Sequence, residues 1–258
     1  MARVGLQLFS VWKDAEKDFL NTIERVADLG YESIQFAGFY DTPIEDVADL
    51  MERKGITAAG AHVPIEQLQG EALDRVLFEH EKLGNQLIIC PALPKHMRDS
   101  EDAWRKSAEL FNDIGQRCKE EGFTFGYHNH DFEFEEVNGQ TGFELIFKNT
   151  DPDIVKMELD CYWASYSGVD PYSIITEYKD RCLSLHVKDI KTVGEKTVST
   201  EISKGELPLQ QLIEEAMKHG TEWFIVEQED FEGDPYESLG VSASNLSDLA
   251  AKARSNVN

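Results

Sequence analysis

A closed (β/α)8 barrel is the fold this sequence predicts, on three observations. Eight short apolar runs of strand length alternate with amphipathic helical segments across 258 residues, the size and rhythm of eight β/α units. No GxGxxG turn follows the first run, which removes the main sign of a dinucleotide-binding open sheet. Finally, no Pro/Gly/Ser-rich linker divides the chain, so one barrel domain over residues 1–258 is expected.

The elements follow in order. Val4 to Leu8 reads as strand one, and a helix opens at Trp12-Lys13-Asp14-Ala15-Glu16. Phe19, Ile23, Val26 and Ala27 recur in it at helical spacing before Gly30 ends it. Glu32–Ala37 is strand two, followed by a helix from near Pro43 through Met51 that stops at Gly55. Strand three runs from Ile56 to His62, with a helix after Pro64 ending near Gly84. Gln86–Pro91 is strand four, with a helix from about Asp102 to Glu121. Strand five is the apolar run into Phe125-Gly126-Tyr127-His128, strand six Ile154–Asp160, strand seven Cys182–Lys188 and strand eight Trp223–Glu227. Helical segments fall at Pro171–Tyr178, Leu209–His219 and about Ser242–Ala253.

Composition narrows the partners. Forty-nine acidic against 25 basic residues give a formal charge of −24, spread along the chain. That opposes binding to nucleic acid or to an anionic membrane surface, both of which need cationic neutralisation of phosphate. Cys90, Cys118, Cys161 and Cys182 are scattered without a CxxC pair, which fits a reducing compartment. The apolar run at Met1–Leu6 is too short for a signal peptide, and no later run reaches membrane-span length. A cytoplasmic protein is expected, with a small molecule as its partner and the oligomeric state, homo-oligomer included, left open.

The chemistry gathers where strands end, at the mouth where such barrels carry their sites. His62 ends strand three, His128 and His130 strand five, Glu158 and Asp160 strand six, His186 and Lys188 strand seven, and Glu227 and Glu229 strand eight. Side chains two apart on a strand share a face, so His128 and His130 should point the same way, as should Glu158 and Asp160. A single such residue is readily a satisfied buried group. Ionisable residues ending four consecutive strands would each carry a desolvation cost, which a shared divalent cation would offset. Mixed imidazole and carboxylate donors suit Mn²⁺, Zn²⁺, Co²⁺ or Fe²⁺ better than an all-oxygen or thiolate site.

These stretches resemble the xylose isomerase-like TIM barrels, the sugar phosphate isomerase/epimerase group that shares its fold with endonuclease IV. The resemblance covers essentially the whole chain. It is carried by Gly5-Leu6-Gln7-Leu8, Gly30–Gln35, the His62 strand, Gly126-Tyr127-His128-Asn129-His130, Glu158-Leu159-Asp160, Leu185-His186-Val187-Lys188-Asp189, Gly205–Pro208 and Val226-Glu227-Gln228. It implies one divalent metal, with Asp160, His186 and Glu227 matching the family's Asp, His and second Glu. Strand five departs from the pattern: the family's Glu is replaced, most simply by His128, and Glu158 is the rival for the fourth ligand. His62 matches the substrate-side histidine.

The leading function is therefore a metal-dependent sugar isomerase or epimerase acting on a keto-sugar or polyol derivative through an enediolate. Glu227 would be one proton-transfer group and His128 or Glu158 the other, with Lys188 and His62 orienting oxygens. A keto-sugar lyase, dehydratase or glycoside-cleaving enzyme using the same metal site is the second reading. A non-catalytic sugar-binding barrel is the third. Lys188 either neutralises an anionic intermediate or pairs with Asp189. Tyr162 and Trp163 either stack on a sugar or simply pack. In so acidic a chain, Glu133 and Glu229 are expected in solvent. His80, His96 and His219 carry no signal.

Overall fold

A computed structural model describes residues 3–257. Eight parallel strands close into a barrel in sequential order, namely Arg3–Gln7, Ser33–Phe36, Thr57–His62, Leu87–Cys90, Thr124–His128, Val155–Asp160, Cys182–Val187 and Trp223–Val226. We number these barrel strands one to eight; the last returns to pair with the first, Arg3 opposite Trp223 and Leu6 opposite Val226. All eight expected strands are present, each within two residues of its expected end, because their apolar runs are buried on both faces.

The helices depart from expectation more than the strands do. The first is broken: a 3-10 turn at Leu8–Val11 and a short helix at Trp12–Ala15 precede a separate helix, Phe19–Asp28. Asp18 starts the latter by accepting a hydrogen bond from Asn21 N–H at 3.1 Å. The last helix is longer than expected, Pro235–Val257. Two further helices, Gly142–Lys148 and Cys161–Tyr166, and two hairpins, 136–141 and 189–200, were not foreseen. Among the described residues no helix is long and apolar enough to cross a membrane.

Side-chain alternation divides the apolar residues into two sets. Ile88, Cys90, Phe224 and Val226 face the helices, whereas Leu87, Ile89, Trp223, Ile225 and Ala59 form a small cluster inside the barrel. One layer higher the interior turns polar, with Gln7, Gln35, His128, Glu158, His186 and Glu227 all buried.

Strand three enters that layer through a change of phase. Strand two pairs Ile34 with Ala58 but Phe36 with Ala61, so strand three carries one extra residue. The extra residue falls at Gly60, whose φ of +127° is a conformation that side chains disfavour. Ala59 below the bulge points into the barrel, and because of the bulge His62 above it does too. A Cβ at Gly60 would also lie 3.3 Å from both Gln35 Nε2 and a Leu87 methyl. Gly60→Ala is therefore expected to lower stability by about 1–3 kcal/mol. A fall in the urea midpoint at unchanged slope would show it; an unchanged midpoint would mean that the bulge is not strained.

Candidate metal centre

Strand register builds the site. His128 lies opposite Glu158, and Asp160 opposite His186. Val187 lies opposite Val226, so Lys188 and Glu227 emerge side by side one residue further on. All the ionisable residues expected at strands five to eight thus reach one mouth, with His62 joining them over the bulge.

Glu158 stands at the centre of the layer. Its Oε1 is 2.6 Å from His62 Nε2, 3.2 Å from His128 Nδ1 and 3.0 Å from His186 Nε2. Gln35 Nε2 donates to its Oε2 at 2.7 Å, while Gln35 Oε1 accepts from Gln7 Nε2 and faces His186 Nε2, both at 2.7 Å. Burial alone would raise the Glu158 pKa, but the positive charge of His186 and the imidazole hydrogen bonds hold it well below the usual carboxylate range.

This network assigns the tautomers. Burial, aided by the nearby His186 charge, keeps His128 well below the usual imidazole range and hence neutral. With Nδ1–H given to Glu158, the Nε2 lone pair of His128 faces Asp160 Oδ2 at 3.9 Å. That oxygen is buried and makes no hydrogen bond, although the Lys188 ammonium lies 3.3 Å away. Two acceptors therefore face one another. His186 differs: burial would push it down, but Glu158 and then Glu227 raise it to about 10. Its Nε2–H points at Gln35 and Glu158, and Nδ1 lies 3.3 Å from Glu227 Oε2 and 4.0 Å from Asp160 Oδ2.

Two groups of donors lie close enough to hold a metal ion: His62, His128, Glu158 and His186, or His128, Asp160, His186 and Glu227. The separations distinguish them. Glu158 makes contacts of hydrogen-bond length, and its lone pairs are committed to four donors. The separations of 3.3–4.0 Å in the second group are closer to the edges of a coordination shell with bonds of about 2.0–2.2 Å. A cation there would satisfy the facing acceptors and replace the second proton of His186. The donor set fits a divalent transition metal.

Lys188 is fully buried, 2.9 Å from Glu227 and 3.1 Å from Glu229. It does not pair with Asp189, whose carboxylate accepts the backbone N–H groups of Ile190, Gly205 and Leu207. Burial would lower the Lys188 pKa; Asp160, Glu227 and Glu229 raise it instead. The carboxylates it touches respond differently. Lys188 and His186 overcome burial at Glu227 and hold its pKa well below the usual range, whereas at Asp160 burial prevails and raises it. Glu229 touches Lys188 at the mouth and is exposed, as expected, its side chain at 37%.

Beyond the strand ends, His130 has left strand five. Its ring stacks on Phe132 and lies 5.0 Å from that of His128. Trp163 is 5.9 Å from His130 and 5.3 Å from the Lys188 ammonium. Trp163 Nε1 and His130 Nδ1 are both buried without a hydrogen-bond partner. Glu133, expected in solvent, is instead completely buried. It accepts from the Tyr127 hydroxyl and from His130 N–H, and burial raises it to about 8. Three further residues escaped the sequence reading. Gln7 and Gln35 are neutral amides inside apolar strands, and Asn129 pairs through its side chain with the backbone of Asp160. A polar residue at an inward position is the signal that could have found them.

Above the cluster opens a cavity of about 1070 Å³, whose lining includes His62, His128, His130, Glu227 and Glu229. Comparison with known proteins agrees with this architecture. The model of the family described as xylose isomerase-like TIM barrel matches residues 23–249. An inosose dehydratase of Lacticaseibacillus casei is 29% identical over 182 residues, which are 66% of this chain and 55% of that protein. The chain spans about half the length of the curated relatives first matched. A sugar phosphate isomerase/epimerase from Parabacteroides distasonis ATCC 8503 superposes with a TM-score of 0.79 at 27% identity, covering 98% of this chain and 95% of that one. IolI, solved with a bound zinc atom, shares the fold at 12% identity, with a TM-score of 0.75 over 97% of this chain and 99% of its own. The chain belongs to the xylose isomerase-like TIM-barrel family.

Proposed function

We propose that this protein is a metal-dependent enzyme that removes the proton beside the carbonyl of a keto-sugar or keto-polyol and then expels a β-hydroxyl, a dehydratase reaction. The observation that carries the metal is the pair of facing acceptors, His128 Nε2 and Asp160 Oδ2, 3.9 Å apart. His128, Asp160, His186 and Glu227 would hold the ion. Mn²⁺, Zn²⁺, Co²⁺ and Fe²⁺ all suit such donors. When bound, it supplies Lewis-acid polarisation that makes the adjacent C–H more acidic.

The choice of elimination rests on how the proton-transfer groups are arranged. Glu158, a candidate base in the sequence, accepts from three imidazoles and an amide and does not line the cavity. The carboxylates of the cluster that do line it, Glu227 and Glu229, both come from the end of strand eight. Epimerisation by two carboxylates would call for one on each side of the substrate. Elimination needs one base and one acid. Glu227, kept ionised, takes the proton; Lys188, kept protonated and buried behind it, holds that carboxylate in place and offsets the negative charge that develops at the mouth. His62 and His130 line the opposite part of the cavity and donate the proton with which the departing hydroxyl leaves as water. The dehydratase relatives point the same way. The isomerase or epimerase reading shares the first step, and the 27% identical structural neighbour favours it.

Asp160→Ala and His186→Ala are expected to lose bound metal while the barrel stays folded, as read by elemental analysis beside circular dichroism. Full metal occupancy in either variant would remove it from the ligand set. Glu158→Gln separates an orienting role from ligation: we expect metal affinity to fall about 10–100-fold without being abolished, and stoichiometric loss would return Glu158 to the ligand set. For the chemistry, Glu227→Gln should lower turnover by about 10²-fold or more and abolish exchange of the substrate's carbon-bound hydrogen with D₂O. An inosose is the first substrate to try. Growth of a conjugated enone absorbance indicates elimination, an epimer without it indicates the second reading, and undiminished exchange in the variant would move the base away from Glu227.

A further inference from the structure

The cavity extends well beyond the cluster at its floor. At about 1070 Å³ it stands at the top of the roughly 300–1,000 Å³ range of clefts that enclose drug-sized ligands, far more room than one sugar ring fills. Its far wall presents the rings and apolar side chains of Phe9, Phe39, Tyr40, Pro43, Ile44 and Phe78, with charged side chains set between them.

Three features mark that wall as built to receive something. Six large hydrophobic side chains are exposed among the described residues; Phe78 at 58% and Phe9 at 46% both line this cavity, and Trp12, a third, stacks on Phe9 with centroids 6.4 Å apart. Exposed rings gathered at one concavity indicate a binding surface, whereas scattered ones do not. Second, Tyr40 and Asp41 adopt positive φ of 50° and 58° in succession, costly for residues with a Cβ. Tyr40 is held there against Phe19 at 5.4 Å, and Phe39 is packed against Phe36 and His80, each at 5.2 Å. The wall is preformed. Third, the charged side chains at this end are Arg75 and Lys82 against Asp41, Glu45 and Glu79, and the Lys82 ammonium is already paired with Glu45 and lies over the Phe78 ring, so acids outnumber bases and a phosphate is disfavoured.

We infer that the far end is a second subsite for an aromatic group carried by the sugar, so that the natural substrate is an aryl-substituted sugar and not a free monosaccharide. This rests on reading the cluster end as the sugar site, and it adds the substrate class. Phe9 and Phe78 clasp the ring while the sugar reaches down to His62 and Glu227.

Calorimetric titration of the protein, as purified, tests the inference with phenyl and methyl β-D-glucopyranosides and the corresponding galactosides. Burying a phenyl group should make a phenyl glycoside bind at least about tenfold tighter than its methyl counterpart. In the Phe9→Ala/Phe78→Ala double variant that advantage should vanish while affinity for the methyl glycoside holds. Both positions are exposed, so the variant should fold, and its thermal midpoint checks this. Equal affinity for phenyl and methyl glycosides in the wild type, an advantage that survives the double variant, or no binding of any glycoside would each overturn the subsite. None of these outcomes touches metal binding or proton exchange, on which the proposed function stands or falls separately.

Discussion

The mouth of this barrel is organised by a single buried carboxylate. Glu158 gathers His62, His128 and His186 on one oxygen and Gln35 on the other. An isolated charge at that depth would be prohibitively costly. Four donors offset the cost and in return each is fixed: His128 is turned so that Nε2 points outward, and His186 so that Nδ1 does. Gln7 steadies Gln35 from behind. The bulge at Gly60 belongs to the same system, since without the extra residue His62 would face the helices and Glu158 would lose its shortest contact.

Charge balance is the second constraint. Asp160, Glu227 and Glu229 converge within 3.3 Å of a single ammonium, that of Lys188. In a chain with a formal charge of −24, the surroundings offer this cluster little relief, and repulsion among the carboxylates would open the mouth. Lys188 opposes that repulsion from within strand seven's own continuation. The aromatic faces of Tyr162 and Trp163, each about 5 Å away, complete its cage.

The barrel was legible because its strands are apolar on both faces and end abruptly in ionisable residues. That contrast needs no knowledge of packing. Asp160, His186 and Glu227 stood out for the same reason, and His128 because it and His130 end one strand two residues apart. Harder to see were groups whose role depends on a partner distant in sequence. Gln7 and Gln35 carry no charge and so no sign of a site. Glu133 reads as one more surface acid until Tyr127 and the His130 amide are found against it. That Lys188 pairs with Asp160, Glu227 and Glu229 and not with its neighbour Asp189 does not show in the order along the chain, because pairing across strands six, seven and eight decides it. The break at Asp18 and the early start of the last helix at Pro235 are local matters of capping, which hydrophobic spacing does not report.

Asp160 divides its two oxygens between tasks. Oδ2 faces the cluster, while Oδ1 accepts the Trp163 N–H at 3.0 Å and so caps the helix Cys161–Tyr166. Any rotation of that carboxylate toward or away from a cation is felt at once by one backbone amide outside the cluster. The Trp163 amide resonance is in that sense a built-in gauge: its chemical shift and its exchange with solvent would register occupancy of the centre without a substrate, a chromophore or a change in the fold.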